Sequence, residues 1–138
     1  MDNSLIFSIT ILLLILVLFI MVSVNSRKID RRKREKFIKE VLTLEKFLHS
    51  DELAVRRDAV IKLDNILSKS LQLYFNNELP CGENLKMADK LFRKREYNIL
   101  WETHKLRNKV VHDDYSISKD EAQKGYRVYK SSIIKILQ

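Results

Sequence analysis

Residues 5–24 read LIFSITILLLILVLFIMVSV, a stretch with no charged side chain in which Ser8, Thr10 and Ser23 are the only polar ones. A segment this apolar satisfies its backbone N–H and C=O groups most readily as a helix with its surface in hydrocarbon. At 1.5 Å per residue it would be about 30 Å long, the thickness of a bilayer core. A cleaved signal peptide usually has a shorter apolar region, a basic front flank and small residues at the cleavage site. Here the front flank is Met1-Asp2-Asn3-Ser4, with no basic side chain. The expectation is therefore an uncleaved transmembrane anchor over residues 1–26.

All 26 Lys and Arg lie at or beyond Arg27, and Asp2 is the one acid before it, so the rest of the chain holds 26 cations against 17 anions, a net of +9. Basic flanks stay on the cytoplasmic side of a membrane. This predicts a single-pass protein of the cell membrane with its N-terminus outside and residues 27–138 in the cytoplasm. A single cysteine, Cys81, agrees with a reducing compartment. Residues 27–39 hold eight basic and two acidic side chains. Arg27, Lys28, Arg31, Arg32, Lys33 and Arg34 are the expected lipid contacts, each worth up to about 1 kcal/mol near an anionic leaflet. An RNA-binding arm is the other use of such a run.

The remaining composition excludes much. Two Gly and one Pro are too few for the turns of a β-sandwich or barrel, and no Gly-rich loop exists to cradle a nucleotide phosphate. One Cys and three scattered His leave no disulfide framework, zinc cluster or HExxH pair, so no metal or cofactor is expected. Helical periodicity runs through the rest. Phe37, Val41, Leu44 and Leu48 share one face of a helix over residues 30–48, a stalk or the first helix of a bundle. Ser50 or Asp51 is placed to cap the next, which carries Ala59, Val60, Leu63, Ile66, Leu67, Leu71 and Tyr74 over residues 52–75. Residues 76–84 read as a loop that includes Cys81 as a non-nucleophilic thiol, followed by a short helix near residues 85–92. Ile99, Leu100, Thr103, Leu106 and Val110 point inward from a helix over residues 95–111. Ser118 and Glu121 stand in capping-box spacing before a last helix with Ala122, Tyr126, Tyr129, Ile133 and Ile136 on one face. The chain thus divides into a 1–26 anchor, a 27–50 basic juxtamembrane helix and a 51–138 all-α, up-and-down helical bundle, small enough that dimerisation would help it.

The ionisable cluster that stands out is WETHKLRNKVVHDD, residues 101–114. Arg107 offers a planar fork of donors for a phosphate, and a histidine such as His112 is a residue type that can move protons near neutral pH. With a basic field these are the minimum parts for metal-independent RNA cleavage, in which the 2′-hydroxyl attacks its own phosphate. Spacing alone does not carry that reading. In a chain of this composition an Arg and a His four to six residues apart arise by chance about 0.65 times. Inside one helix the two side chains would leave the axis about 140° apart, so they converge only if the helix ends at Val111 or if two chains pool their residues. The plainer reading is that both cations favour a helix C-terminus.

Residues 104–114 (HKLRNKVVHDD), then Ile117-Ser118-Lys119-Asp120-Glu121-Ala122, then Tyr126-Arg127-Val128-Tyr129, resemble the C-terminal half of HEPN domains. Residues 59–67 are similar to an earlier helix of that family, and residues 82–86 to the intervening loop. The likeness covers roughly residues 51–138. It implies an all-α bundle of four to five helices that commonly dimerises. Active members are metal-independent endoribonucleases with an Arg-x4-6-His motif, while others bind RNA, nucleotide or protein partners without cleaving. By this resemblance Arg107 would bind the scissile phosphate, Asn108 would assist in positioning and His112 would be the acid/base. No role follows for His104, read here as a surface or interface histidine. Tyr126 and Tyr129 pack the core, with hydroxyls free to face the site. Lys86, Lys90, Arg93, Lys94 and Arg95 form a second basic cluster suited to an RNA backbone. The expected partners are the membrane, RNA, a second copy of the chain and an unspecified protein. The alternative to the ribonuclease is a non-catalytic, membrane-tethered module binding RNA, protein or anionic lipid.

Overall fold

The computed structural model describes residues 3–25 and 29–138; Arg27 and Lys28 lie outside the described residues. All regular structure among those residues is helical. Helix α1 (Asn3–Asn25) is the apolar segment, and its large side chains, from Leu5 to Val22, are exposed. Its Asn3–Ser23 portion is long and apolar enough to cross a membrane, a property that a signal sequence near an N-terminus shares. Ser8 Oγ donates to the Ser4 carbonyl at 2.9 Å and Thr10 Oγ1 to the Phe7 carbonyl at 2.8 Å. These hydroxyls are therefore paired within the helix itself.

The remainder is a bundle of α2 (Arg31–Leu44), α3 (Leu53–Phe75), the short α4 (Cys81–Met87), α5 (Lys94–His112) and α6 (Lys119–Leu137), with 3₁₀ turns at Glu45–His49 and Asp89–Leu91. Cross-links between helices give the topology. Arg57 reaches the Val110 carbonyl and Asp64 reaches His104, so α3 and α5 run antiparallel. Glu96 pairs with Lys135, and the Thr103 carbonyl accepts from Tyr129, so α5 and α6 run antiparallel. Glu45 bonds Tyr126 and His49 bonds Gln123, which sets the chain of α2 and its 3₁₀ turn antiparallel to α6. The four long helices α2, α3, α5 and α6 thus alternate in direction along the chain, the expected up-and-down order.

The core follows the apolar stripes. Leu63, Leu67 and Leu71 of α3, Leu85 of α4, Leu100 of α5 and Tyr129 and Ile133 of α6 are fully enclosed. Val41, Leu44 and Leu48 are buried too, so residues 30–48 belong to the bundle rather than to a free stalk. Tyr74 and Ile99, expected inside, are each 42% exposed. Tyr74 lies in the last turn of α3, and Ile99 borders a shallow groove between α5 and α6.

Caps place the ends. Ser118 accepts from the Glu121 N–H at 3.1 Å while Glu121 accepts from the Ser118 N–H at 2.9 Å, the capping box read from the sequence. Helix α3 departs from expectation: Glu52 is its N-cap and makes no side-chain cap bond. Ser50 instead accepts from the Glu52 N–H at 3.2 Å, and Asp51 pairs with Lys119 of α6. The loop is shorter than expected, because α4 begins at Cys81 directly after Pro80. Asn76, left-handed at φ 51°, ends α3, a conformation asparagine tolerates. Reciprocal amide bonds of 2.8 and 3.0 Å then join Asn77 to the fully buried Asn84. That clamp seats α4 against α3.

Leu63 fills the centre of the core, so Leu63→Ala should cost about 2–5 kcal/mol. Ser118→Ala removes one cap and should cost about 1 kcal/mol. Denaturant unfolding followed by circular dichroism measures both, and an equal cost for the two would contradict the packing described.

Candidate functional site

Five charged or polar residues from four helices occupy positions on inward faces. Asp64 stands in the α3 row Val60, Asp64, Leu67, Leu71, at steps of four, three and four. His104 and Arg107 continue an α5 row from Leu100, at steps of four and three. Tyr129 is in the buried row of α6 and Cys81 is the first residue of α4. The bundle brings all of them to one place.

Asp64 is the hub and is 2% exposed. Its Oδ1 receives His104 Nδ1–H at 2.7 Å and the Tyr129 hydroxyl at 3.0 Å. Its Oδ2 lies 3.4 Å from Arg107 Nε, a buried N–H with the carboxylate as its ionic neighbour but no hydrogen bond of its own. Arg107 Nη1 donates to Asn108 Oδ1 at 3.0 Å. The amide Nδ2 of Asn108 stands 3.5 Å from His104 Nε2, the outer limit of a hydrogen bond. One amide therefore bridges the guanidinium and the imidazole. With Nδ1 donating to a carboxylate, the network assigns Nε2 the lone pair, a tautomer that leaves it able to accept a proton. The Trp101 indole meets the His104 ring edge-on at 6.0 Å between centroids. A Cβ added to Gly82 would sit 3.9 Å from Nε2, in ordinary van der Waals contact with it.

Burial, with the Asp64 charge next in weight, pushes the Cys81 thiol up to about 12; Arg107 and a bond from Ser68 pull the other way. Burial likewise raises the Tyr129 hydroxyl well above its ordinary range, and Asp64 adds to it. Both groups are neutral at physiological pH. Cys81 is thus a buried helix residue rather than a loop thiol, and its neutrality makes it a poor nucleophile. Asp64, Cys81 and His104 bring one ligand atom each within 4.8 Å of one another, a spacing a cation can use. Two features argue against that use. Both Asp64 oxygens are already engaged, and the Arg107 guanidinium beside them opposes a second positive charge.

Of the residues expected to act, Arg107 and Asn108 meet and His112 does not join them. His112 is the last residue of α5 and exposed. The helix continues through it, so its side chain departs about 140° from that of Arg107. The acids after it serve the backbone: Asp113 is the C-cap of α5, and Asp114, at φ 51°, pairs with Arg57 at 3.3 Å. Arg57 also donates to the Val110 carbonyl at 2.7 Å, neutralising the helix C-terminus. His104, given no role by the sequence, is the histidine in contact with the motif, and it is buried rather than on the surface. Of the two tyrosines, Tyr129 enters the site, whereas Tyr126 turns to Glu45 at 3.1 Å.

Lys86, Lys90, Arg93, Lys94 and Arg95 are exposed around the C-terminus of α4 and the start of α5. Lys86 pairs with Glu83 at 2.8 Å, and Arg93 is the N-cap of α5, its N–H bonded to Glu96 at 3.1 Å. Lys94 is thirteen positions before Arg107, about 20 Å along the helix. Arg31, Arg32 and Lys33 are exposed and Arg34 half-buried in the first turns of α2, with Arg31 bonded to Glu35 at 2.7 Å.

Removing the hub strands the buried Arg107 Nε and the buried imidazole, so Asp64→Ala should destabilise the bundle by about 3 kcal/mol. Asp64→Asn, which still accepts one bond, should cost less; thermal unfolding ranks the two. The raised Cys81 and Tyr129 groups stabilise the fold fully below their unfolded values, near 9 and 10. That contribution is lost as pH climbs toward about 12. Stability should therefore fall above about pH 9, and Cys81→Ala should flatten the first part of the decline.

The chain matches no family model, no curated protein and no solved structure.

Proposed function

We propose that the chain is a membrane-tethered, HEPN-like helical protein whose Arg107 centre cleaves RNA without a metal. One observation carries this reading: Asp64 fixes both His104 and Arg107, and Asn108 joins His104 Nε2 to Arg107 Nη1. A proton acceptor and a phosphate-binding fork are thereby held on either side of one amide. In the reaction, Nε2 takes the proton of a ribose 2′-hydroxyl as that oxygen attacks the adjacent phosphorus. The imidazolium is stabilised against Asp64 and then returns the proton to the departing 5′-oxygen. Arg107 and Asn108 hold the phosphate and offset the charge that develops on it. The products are a 2′,3′-cyclic phosphate and a 5′-hydroxyl. Lys86, Lys90, Arg93, Lys94 and Arg95 are assigned to the flanking RNA backbone. Helix α1 is read as the anchor, with its N-terminus outside the cell membrane and the bundle in the cytoplasm. Arg27, Lys28, Arg31, Arg32, Lys33 and Arg34 then face the anionic leaflet.

The exposure of His112 and its angle to Arg107 leave the Arg107–His112 pairing to a homodimer, in which His112 of one copy serves Arg107 of another. A second reading rests on a different fact, the burial of His104 at 8% exposure. There the network only secures the core, and the bundle is a non-catalytic module that binds RNA, a protein or anionic lipid.

The test is cleavage of mixed RNA in EDTA by the full chain in detergent. Arg107→Ala and His104→Asn, the latter keeping a donor toward Asp64, should each lower the rate by about 100-fold or more. Gly82→Leu should do the same by covering Nε2, while His112→Ala should retain most activity. Loss in His112→Ala that is restored on mixing with Arg107→Ala would move the chemistry to a dimer interface. A folded wild-type protein that cuts nothing would favour the binding module.

A further inference from the structure

A groove of ≈ 660 Å³ runs between α2 and α3, and none of the residues that line it belongs to the Arg107 centre. Its floor includes Leu44, Phe47 and Ile66, and four lysines line it: Lys36 and Lys39 from α2, Lys62 and Lys69 from α3. The spacing explains the form. Lys62, Ile66 and Lys69 lie at steps of four and three on one face of α3, and Lys36, Lys39, Thr43 and Phe47 at steps of three and four along α2 and its 3₁₀ turn. Phe47 remains 37% exposed. The one acid in the lining is Glu40. Lys62 is partnered by Asp58 at 2.7 Å. Among the described residues Lys36, Lys39 and Lys69 have no ion pair.

An apolar floor under a cationic rim complements a molecule with an anionic head and a hydrocarbon body. We propose that this groove binds one acidic phospholipid, its phosphate on the lysines and its glycerol and upper acyl carbons on Phe47, Leu44 and Ile66. The choice of lipid over an acidic amphipathic peptide rests on the reading of α1 as a membrane anchor. Helix α2 begins six residues after α1 ends, so its first turn lies within about 20 Å of the end of the anchor. The site is distinct from the arginine-rich run at the start of α2, whose residues do not line the groove.

The experiment measures acetylation of individual lysines by mass spectrometry on the full chain in detergent micelles doped with phosphatidylglycerol or phosphatidylcholine. Micelles keep the chain in solution whether or not α1 spans a bilayer. Retention in membranes after an alkaline wash is scored separately, so failure of the anchor and failure of the groove are told apart. Phosphatidylglycerol, not phosphatidylcholine, should slow labelling of Lys36, Lys39 and Lys69 at least threefold and leave Lys135 unchanged. Lys39→Glu with Lys69→Glu should reduce co-purifying phosphatidylglycerol at least fivefold, and Phe47→Ser should reduce it without changing the charge. Co-purifying phosphatidylglycerol that responds only to Arg31→Glu with Arg32→Glu would overturn the groove in favour of surface attraction. Protection by an acidic amphipathic peptide but not by phosphatidylglycerol would overturn the lipid assignment.

Discussion

The bundle depends on a carboxylate with almost no access to water. Burying such a charge costs several kcal/mol, and only close opposite charge and hydrogen bonds offset it. Asp64 has both: His104 and Tyr129 on one oxygen and Arg107 near the other. These donors come from α5 and α6 while the acceptor is on α3, so the network also sets the register of three helices. A slip of one turn moves a helix 5.4 Å, leaving a charge buried without a partner. Leucine packing tolerates shifts more readily because dispersion and the hydrophobic effect are non-directional.

The same interaction couples packing to chemistry. Its Nδ1 bond sets the tautomer of His104, and the ionic contact at Nε leaves Arg107 able to offer its terminal nitrogens. Asn108 ties the two together. Helix α4 completes the surroundings. The Asn77–Asn84 clamp seats it, Cys81 contributes a neutral sulfur, and Gly82 brings a position without a side chain beside Nε2. Arg56 and Arg57 work at the end of the bundle, donating to the Ile117 and Val110 carbonyls that the breaks around α5 and α6 leave exposed. Arginine suits this because its fork serves several acceptors at once.

Much of the site was open to reading before any coordinates. Asp64 interrupts an apolar stripe, and a charge at an inward position demands a partner. His104 and Arg107 extend the stripe that begins at Leu100 in the same way. Attention to the Arg-x4-His spacing led past His104 to His112, although helical geometry already set those side chains about 140° apart. The loop limit at residue 84 failed for another reason. Cys81 and Gly82 have low helix propensity, but Pro80 before them and the buried Asn84 clamp let the first turn form.

From the sequence alone follow the apolar helix, the all-α class, the helix faces and the Ser118–Glu121 box, because these arise from side chains within a few residues of each other. Periodicity and capping are local, so they survive without knowledge of the fold. Tertiary structure alone decided that Asp64, Cys81, His104, Arg107 and Tyr129 converge. They are separated by up to 65 residues, and no local rule states which buried charge will answer which. It also decided that Arg31–Leu44 packs as part of the bundle and that its lysines face those of α3 across a groove. Which inward faces meet is settled by pairing buried charges and filling space across the whole bundle at once.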